Sequence, residues 1–288
     1  MTGPFHLPRD RLLSFLAEDA PFGDITSGSV LSGERCRGRI VAREGGVIAG
    51  LEEAGELFSL CDVTFRPLVR DGDRVGPECV LAEVEGLAGA VLLVERTALN
   101  ILGRMSGIAT MTRSLQDVLD EKLPGARIAS TRKTCPGLRV LDKKAVVLGG
   151  GDPHRLTLSD GILIKDNHLA LVHLETAIER ARAHSCYRKV EVEVESPEMA
   201  LRAARAGADI LLLDNMDPPE VRETLRVLKN AHLPRLPLIE VSGRINADNI
   251  AEYAIRGVSA ISIGALTHSP RSLDIGLDLD VTTAFPTR

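Results

Sequence analysis

The sequence predicts an α/β protein: a sandwich-like N-terminal α+β domain followed by an α/β barrel of parallel strands. Three observations carry that prediction. From Arg37 to Glu95, short apolar runs such as "GRIVAREGGVIAG" and "VTFRPLVRDGDRVGPECVLAEVEG" are separated by turn residues and interrupted by one helical segment, "LEEAGELFSL". The stretch "AVLLVERTALNILGRMSGIATMTRSLQDVL" then keeps helical spacing without a proline, as one long helix or a helix pair would. Beyond it, β-branched runs alternate with amphipathic segments, the pattern of a parallel sheet covered by helices.

In the first part, Asp71-Gly72-Asp73 and Gly76-Pro77 supply turn chemistry between antiparallel strands. In the second, the strands are expected in "RIAST", "GILIKD", "KVEVEVES", "DILLLDN", "PLIEVSG" and "AISIGALT". The helices between them are expected in "LETAIERARAH", "PEMALRAARAGA", "PPEVRETLRVLKNA" and "NADNIAEYAIRGV". This number of units suits a closed barrel better than a short open sheet, although periodicity alone leaves the open sheet standing. The expected division is 1–112 for the N-terminal domain with its linking helix, 113–273 for the barrel, and 274–288 for a tail returning to the first domain.

Bulk composition narrows the functional classes. The chain has 288 residues, 44% hydrophobic and 26% charged, with a net charge of −5. Nucleic-acid and anionic-membrane binding both want a basic face, so neither is expected. Aromatic residues make up only 3%, which argues against base-stacking platforms. Five scattered cysteines without a CxxC pair read as reduced thiols in a cytoplasmic protein, and the N-terminus shows no secretion signal or membrane span.

Against that acidic background, "STRKTCPGLRVLDKKAVVLGGGDPHR" gathers Arg132, Lys133, Arg139, Lys143, Lys144 and Arg155, with His154 beside the last. Polar residues also close nearly every expected strand: Arg132 and Lys133, Lys165 and Asp166, Glu193 and Glu195, Asp214, Ser242, and Gly264 with His268. In parallel α/β folds those ends build the site. Arg132, Lys133, Arg155 and Lys165 therefore suggest an anion site, because arginine's fork suits carboxylate or phosphate and lysine adds a compact charge. Lys165 has a second reading, a Schiff-base lysine of an aldolase. Glu191, Glu193 and Glu195 alternate with valines and so share one face, turned towards the barrel interior or its mouth. Glu193 and Asp214 at neighbouring strand ends could hold Mg²⁺ through water, or sugar hydroxyls. "GGGDPHR" lacks the GK[ST] of a Walker loop, and His168, His173, His184 and His232 show no metal-ligand spacing.

Eight segments in order carry a resemblance: "ERTALN", "TRKTCPGLR", "KKAVVLGGGDPHR", "LIKDNH", "VEVEVES", "LLLDN", "EVSGRI" and "GALTHS". Together they closely resemble the quinolinate phosphoribosyltransferases, from "APFGDIT" to "LDIGLDL". The resemblance implies Mg²⁺-dependent phosphoribosyl transfer from 5-phosphoribosyl-1-pyrophosphate to quinolinate. Nicotinate mononucleotide, pyrophosphate and CO2 would be released in de novo NAD synthesis. It implies that Arg132, His154, Arg155 and Lys165 grip the quinolinate carboxylates and that Lys133 lies near pyrophosphate. Glu193 and Asp214 would handle ribose hydroxyls and Mg²⁺, and Ser242, Gly243, Gly264 and His268 would cradle the 5-phosphate. Lys165, Glu193 and Asp214 stand as the catalytic set.

The resemblance further implies a barrel of fewer than eight strands and a homodimer with shared active sites, a hexamer being the alternative assembly, with Arg96 contributed by the neighbouring subunit. Two positions depart from the family pattern: Ser130, where many relatives carry Asp, and Arg244, where a second Gly is common. The rival readings are the aldolase and a non-catalytic anion-binding paralogue.

Overall fold

The computed structural model describes Phe5 and residues 7–280; residues 281–288 of the expected C-terminal tail lie outside the described residues. In chain order the first elements are α1 (Arg9–Asp19), α2 (Ile25–Val30), β1 (Arg35–Ala42), β2 (Gly46–Val47) and α3 (Leu51–Leu60). Next come β3 (Thr64–Pro67), β4 (Arg74–Val75), β5 (Cys79–Leu87), α4 (Ala88–Lys122), β6 (Arg127–Ala129), α5 (Arg139–Leu148) and β7 (Ile162–Ile164). Then follow α6 (Asp166–Leu169), α7 (Leu174–His184), β8 (Val190–Val194), α8 (Pro197–Arg205), β9 (Ile210–Asp214) and α9 (Pro218–Asn230). The last are β10 (Leu238–Ser242), α10 (Ile250–Tyr253), β11 (Ala260–Ser262), α11 (Ala265–His268) and β12 (Ile275–Leu279).

The chain divides into two compact units. Among the described residues, the first comprises those up to 113, 136–149 and 270–280. Its four-stranded antiparallel sheet runs β12-β1-β5-β3. Ile40, Ala42 and Ala82 are buried, whereas Arg37–Glu85 and Arg66–Glu83 pair on the exposed side. Such alternation is what a sheet with one solvated face requires. Phe58 of α3 stacks on Phe65 of β3 with ring centroids 5.6 Å apart. The "AVLLVERTALN…" stretch forms a single helix of 35 residues, α4. Gly107 lets the Arg271–Ser272 backbone come close, since a Cβ there would lie 1.8 Å from the Arg271 carbonyl oxygen.

The segment Pro136–Gly149, expected within the barrel, instead clusters with this first unit. Ion pairs explain the placement. Arg104 Nε and Nη2 donate to Asp142 at 2.8 and 3.0 Å, and Lys144 Nζ donates to Glu52 and Glu53 at 2.6 and 2.7 Å. The charges concentrated in "RVLDKKAV" are thus divided, and Asp142 and Lys144 serve packing of the first unit. At its other end β12 pairs antiparallel with β1, with Ile40 opposite Leu277.

The second unit, 114–135 and 150–269, holds six parallel strands in the order β6-β11-β10-β9-β8-β7. One cavity at the strands' C-terminal ends and another at their N-terminal ends are each lined by residues at or next to all six strands. The sheet therefore curls around a common axis, a barrel of fewer than eight strands. Asp152 bridges Ala129 on the side of β6 away from β11. Val190, Val192 and Val194 are wholly buried. Two helices start sharply after their strands. Ser196 Oγ caps α8 by accepting from Met199 N–H at 3.1 Å, and α9 opens with an Asp217–Glu220 capping box ahead of Pro218. The "NADNIAEYAIRGV" segment yields only the four-residue α10, because Asn249 Oδ1 accepts from Asn246 N–H and holds the preceding residues in a turn.

Among the described residues no helix is long and apolar enough to cross a membrane, and all five cysteines are unbridged. Asp142 is fully buried and accepts two hydrogen bonds from Arg104, so Asp142→Ala would break a buried ion pair. The expected loss is about 3 kcal/mol, read as a fall in melting temperature on the order of 10 °C.

Candidate functional site

The C-terminal strand ends surround a cavity of about 920 Å³. The parallel register brings its side chains level. Ser242 of β10 stands opposite Asp214 of β9 and Ser262 of β11, and Ile164 stands opposite Val192, so Lys165 and Glu193 follow side by side. Lys165 Nζ and Glu193 Oε2 form a close ion pair. That pairing opposes an aldolase reading, which needs a neutral amine.

Eleven residues expected at the site line this one cavity: Arg132, Lys133, His154, Arg155, Lys165, Glu193, Asp214, Ser242, Gly243, Gly264 and His268. Arg96 does not; it is exposed on α4 in the first unit. Glu195 also stays outside, because β8 ends at Val194 and the alternation ends with it. Five Lys and Arg side chains face four carboxylates across the lining, so the cavity reverses the sign of the acidic chain. The Nε atoms of Arg132 and Arg155 are buried without a hydrogen-bond partner, leaving two guanidinium donors for an anion. Arg155 is anchored by Nη1 donating to the Gly161 carbonyl at 3.3 Å.

The backbone around the cavity is strained. His154, Asn215 and Arg244 all have φ between 52° and 54° and all line it. Each left-handed residue costs about 1 kcal/mol or more and persists only where its surroundings fix it. Asn215 N–H donates to the Ser242 carbonyl at 2.8 Å, and its Nδ2 donates to Asp214 Oδ2 at 2.6 Å. Gly243 admits this packing: a Cβ there would fall 2.4 Å from Asn215 Oδ1. Gly264 is similarly enclosed, by the Lys133 stem and the His268 ring. Thr267 Oγ1 donates to the Lys133 carbonyl at 2.8 Å, tying the β6 loop to α11.

Sequence reasoning placed Glu191 on the inner face but missed Glu240, a single carboxylate inside the apolar run "PLIEVSG". The two converge on His154, whose Nε2 lies 3.4 Å from a carboxylate oxygen of each. Among the described residues these three place ligand atoms within 4.8 Å of one another, the single grouping of that kind. Burial pulls the His154 pKa down, but Glu191 and Glu240 together push it up to about 10. Arg155 N–H also donates to His154 Nδ1 at 2.6 Å, a contact that only a neutral ring can accept. Magnitudes decide between the two states. Each of the two carboxylates attracts a charged ring by about 5 kcal/mol at an effective dielectric of about 20, together more than the several kcal/mol that burying the charge costs and the net of about 1 kcal/mol for one neutral hydrogen bond. The charged ring wins. Burial also holds Arg155 below its ordinary pKa, with repulsion from Arg132 adding to it and Glu191 opposing.

The chain is similar to known proteins over nearly its whole length. Residues 24–106 match the model for the N-terminal domain of quinolinate phosphoribosyl transferase, and residues 108–278 match its C-terminal domain. A probable nicotinate-nucleotide pyrophosphorylase (carboxylating) from Methanothermobacter thermautotrophicus is 46% identical over 94% of this chain and 98% of its own. A protein of the same description from Bacillus subtilis is 40% identical over 96% of this chain and 95% of its own. The crystal structure of a nicotinate-nucleotide pyrophosphorylase from Ehrlichia chaffeensis superposes with a TM-score of 0.89 at 35% identity, covering 96% of this chain and 99% of that one.

Because the His154 pKa is raised, its contribution to stability is complete below about pH 6.5 and is lost as pH climbs through about 10. The ring should therefore stay charged past neutrality and titrate near pH 10 in histidine-resolved NMR. A midpoint at the ordinary value near 6.5 would contradict the two-carboxylate bridge.

Proposed function

Because the chain belongs to the quinolinate phosphoribosyl transferase family, we propose that it joins quinolinate to 5-phosphoribosyl-1-pyrophosphate in NAD biosynthesis, with the strand-end cavity as the active site. The products are nicotinate mononucleotide, pyrophosphate and CO2. The observation that carries the reading is the pair of buried, unpartnered Nε donors on Arg132 and Arg155, in a cavity richer in cations than in acids. Both substrates are polyanions and fit that imbalance.

Arg132, Arg155 and Lys165, with the charged His154, hold the two carboxylates of quinolinate and so aim its ring nitrogen. Lys133 meets the pyrophosphate. Ser242, Gly243, Gly264 and His268 receive the 5-phosphate, where the two glycines leave room for Asn215 and for the His268 ring and Lys133 stem to pack against them. Glu193 and Asp214 take the ribose hydroxyls. Their oxygen donors also suit Mg²⁺ held largely by water and substrate, since Glu193 is already shared with Lys165 and Asp214 with Asn215. When bound, Mg²⁺ supplies charge neutralisation for the departing pyrophosphate.

The chemistry follows from position and charge. The ring nitrogen donates its electron pair to the anomeric carbon as the carbon–oxygen bond to pyrophosphate breaks, and Lys133 stabilises the leaving charge. Holding both carboxylates makes this encounter effectively unimolecular. The nitrogen becomes cationic, so the adjacent carboxylate can depart as CO2, leaving its electron pair on the ring carbon until a proton arrives. Glu193, close to the ribose, favours positive charge developing there.

Arg96 lies outside the cavity, which supports a role across a homodimer, its guanidinium serving the neighbouring chain's site. A cytoplasmic setting is supported by the five unbridged cysteines.

Arg132→Ala should raise the quinolinate KM by about 10- to 100-fold, the loss of a charge-assisted contact, with an unchanged circular dichroism spectrum. Wild-type kinetics in that variant would refute the clamp. Mixing Arg96→Ala with Arg132→Ala protein should restore partial activity once subunits exchange, because one site then carries neither lesion. No recovery after demonstrated exchange would refute shared sites.

A further inference from the structure

The N-terminal ends of the barrel strands enclose a second cavity of about 330 Å³. His154, Arg155 and Glu240 line both cavities and so form the partition between them, whereas Glu191 lines only the second. The partition is built. Ser262 Oγ donates to Glu240 Oε1, His154 N–H donates to Asp152 Oδ1 at 2.6 Å, and Ser130 Oγ donates to the Pro153 carbonyl at 3.1 Å. Glu191 is 4% exposed, and its Oε1 has no hydrogen-bond partner.

We propose that Glu191 and Glu240 are positioning residues for quinolinate: acting through His154, they hold the His154–Arg155 turn as a fixed pair of cations facing the substrate cavity. The inference rests on reading that cavity as the quinolinate site. Neither carboxylate need touch substrate. Two buried carboxylates cannot stand unpaired, and His154 Nε2 between them is the nearest cation, with Arg155 next along the chain. Arg132 from beyond β6 and Lys165 from beyond β7 complete the positive wall on the substrate side, while Asp152 and Asp160 flank the turn. A histidine of ordinary pKa would be mostly neutral at neutral pH and would give the clamp one charge fewer. The raised His154 pKa agrees with this role.

The same three ligand atoms are close enough to bind a transition-metal ion. Charge argues against it. His154 and Arg155 already balance the two carboxylates, Arg132 repels from nearby, and a divalent ion would have to displace the imidazolium proton and crowd two guanidinium groups.

The test is steady-state kinetics of the full-length protein from about pH 6 to 9, comparing wild type, Glu240→Gln and the Glu191→Gln/Glu240→Gln double variant. Wild type should keep a flat quinolinate KM. In the double variant KM should approach the wild-type value near pH 6 and rise about tenfold by pH 8, as His154 loses its proton near its ordinary pKa. The KM for 5-phosphoribosyl-1-pyrophosphate should stay within about twofold. Adding His154→Gln should abolish the pH dependence. Glu240→Gln alone should move the same way by a smaller factor, which keeps the test open if the double variant misfolds. A pH-independent quinolinate KM in folded variants would overturn the proposal, as would equal loss for both substrates. One equivalent of tightly bound metal, lost on His154→Gln, would overturn it too. If wild type itself failed to consume quinolinate, the functional reading would fall; turnover with flat variant profiles would sink only the positioning role.

Discussion

Like charges brought together repel, and the second unit is organised around containing that repulsion. Arg132, Lys133, Arg155, Lys165 and Arg244 share one cavity with a charged His154. They can do so because carboxylates are interleaved from inside the barrel: Glu193 against Lys165, and Glu191 with Glu240 against His154. The positive wall is thus partly balanced by carboxylates and left unsatisfied at two buried guanidinium Nε donors that lack partners. A binding site for polyanions in an acidic protein needs that asymmetry.

Parallel strands supply it at modest cost. The register sets Ser242 beside Asp214 and Ser262, and Lys165 beside Glu193, so residues far apart in sequence reach one rim. Capping groups at Ser196 and Asp217 turn the chain into helices immediately after two of the strands. Left-handed residues at His154, Asn215 and Arg244 spend backbone strain where it fixes the rim. Gly243 keeps open the space that Asn215 occupies.

Much of this could be read from the sequence, for physical reasons. The β-branched runs became six strands because a strand buried on both faces must be apolar throughout, and the polar residues closing them became a rim because burying them in the wall would cost too much. Glu191 and Glu193 were legible through their alternation with Val190, Val192 and Val194. Glu240 was not: one carboxylate in "PLIEVSG" has no periodicity, and its importance lies in His154, 86 residues earlier in the chain. Similarly, nothing local tells that Asp142 and Lys144 pair with Arg104, Glu52 and Glu53 rather than joining the anion site; only the tertiary fold selects the partner. Arg96 was identified by resemblance alone, and it is not among the residues that line the cavity.

The central claim, that cations converging on one cavity recognise two adjacent carboxylates at once, is tested most directly by measuring kcat/KM for quinolinate and for nicotinate with the same enzyme and 5-phosphoribosyl-1-pyrophosphate. Removing one carboxylate leaves part of the cluster unpaired in a buried site, so quinolinate should be favoured by about 100-fold or more. Comparable values for the two acids would contradict the account.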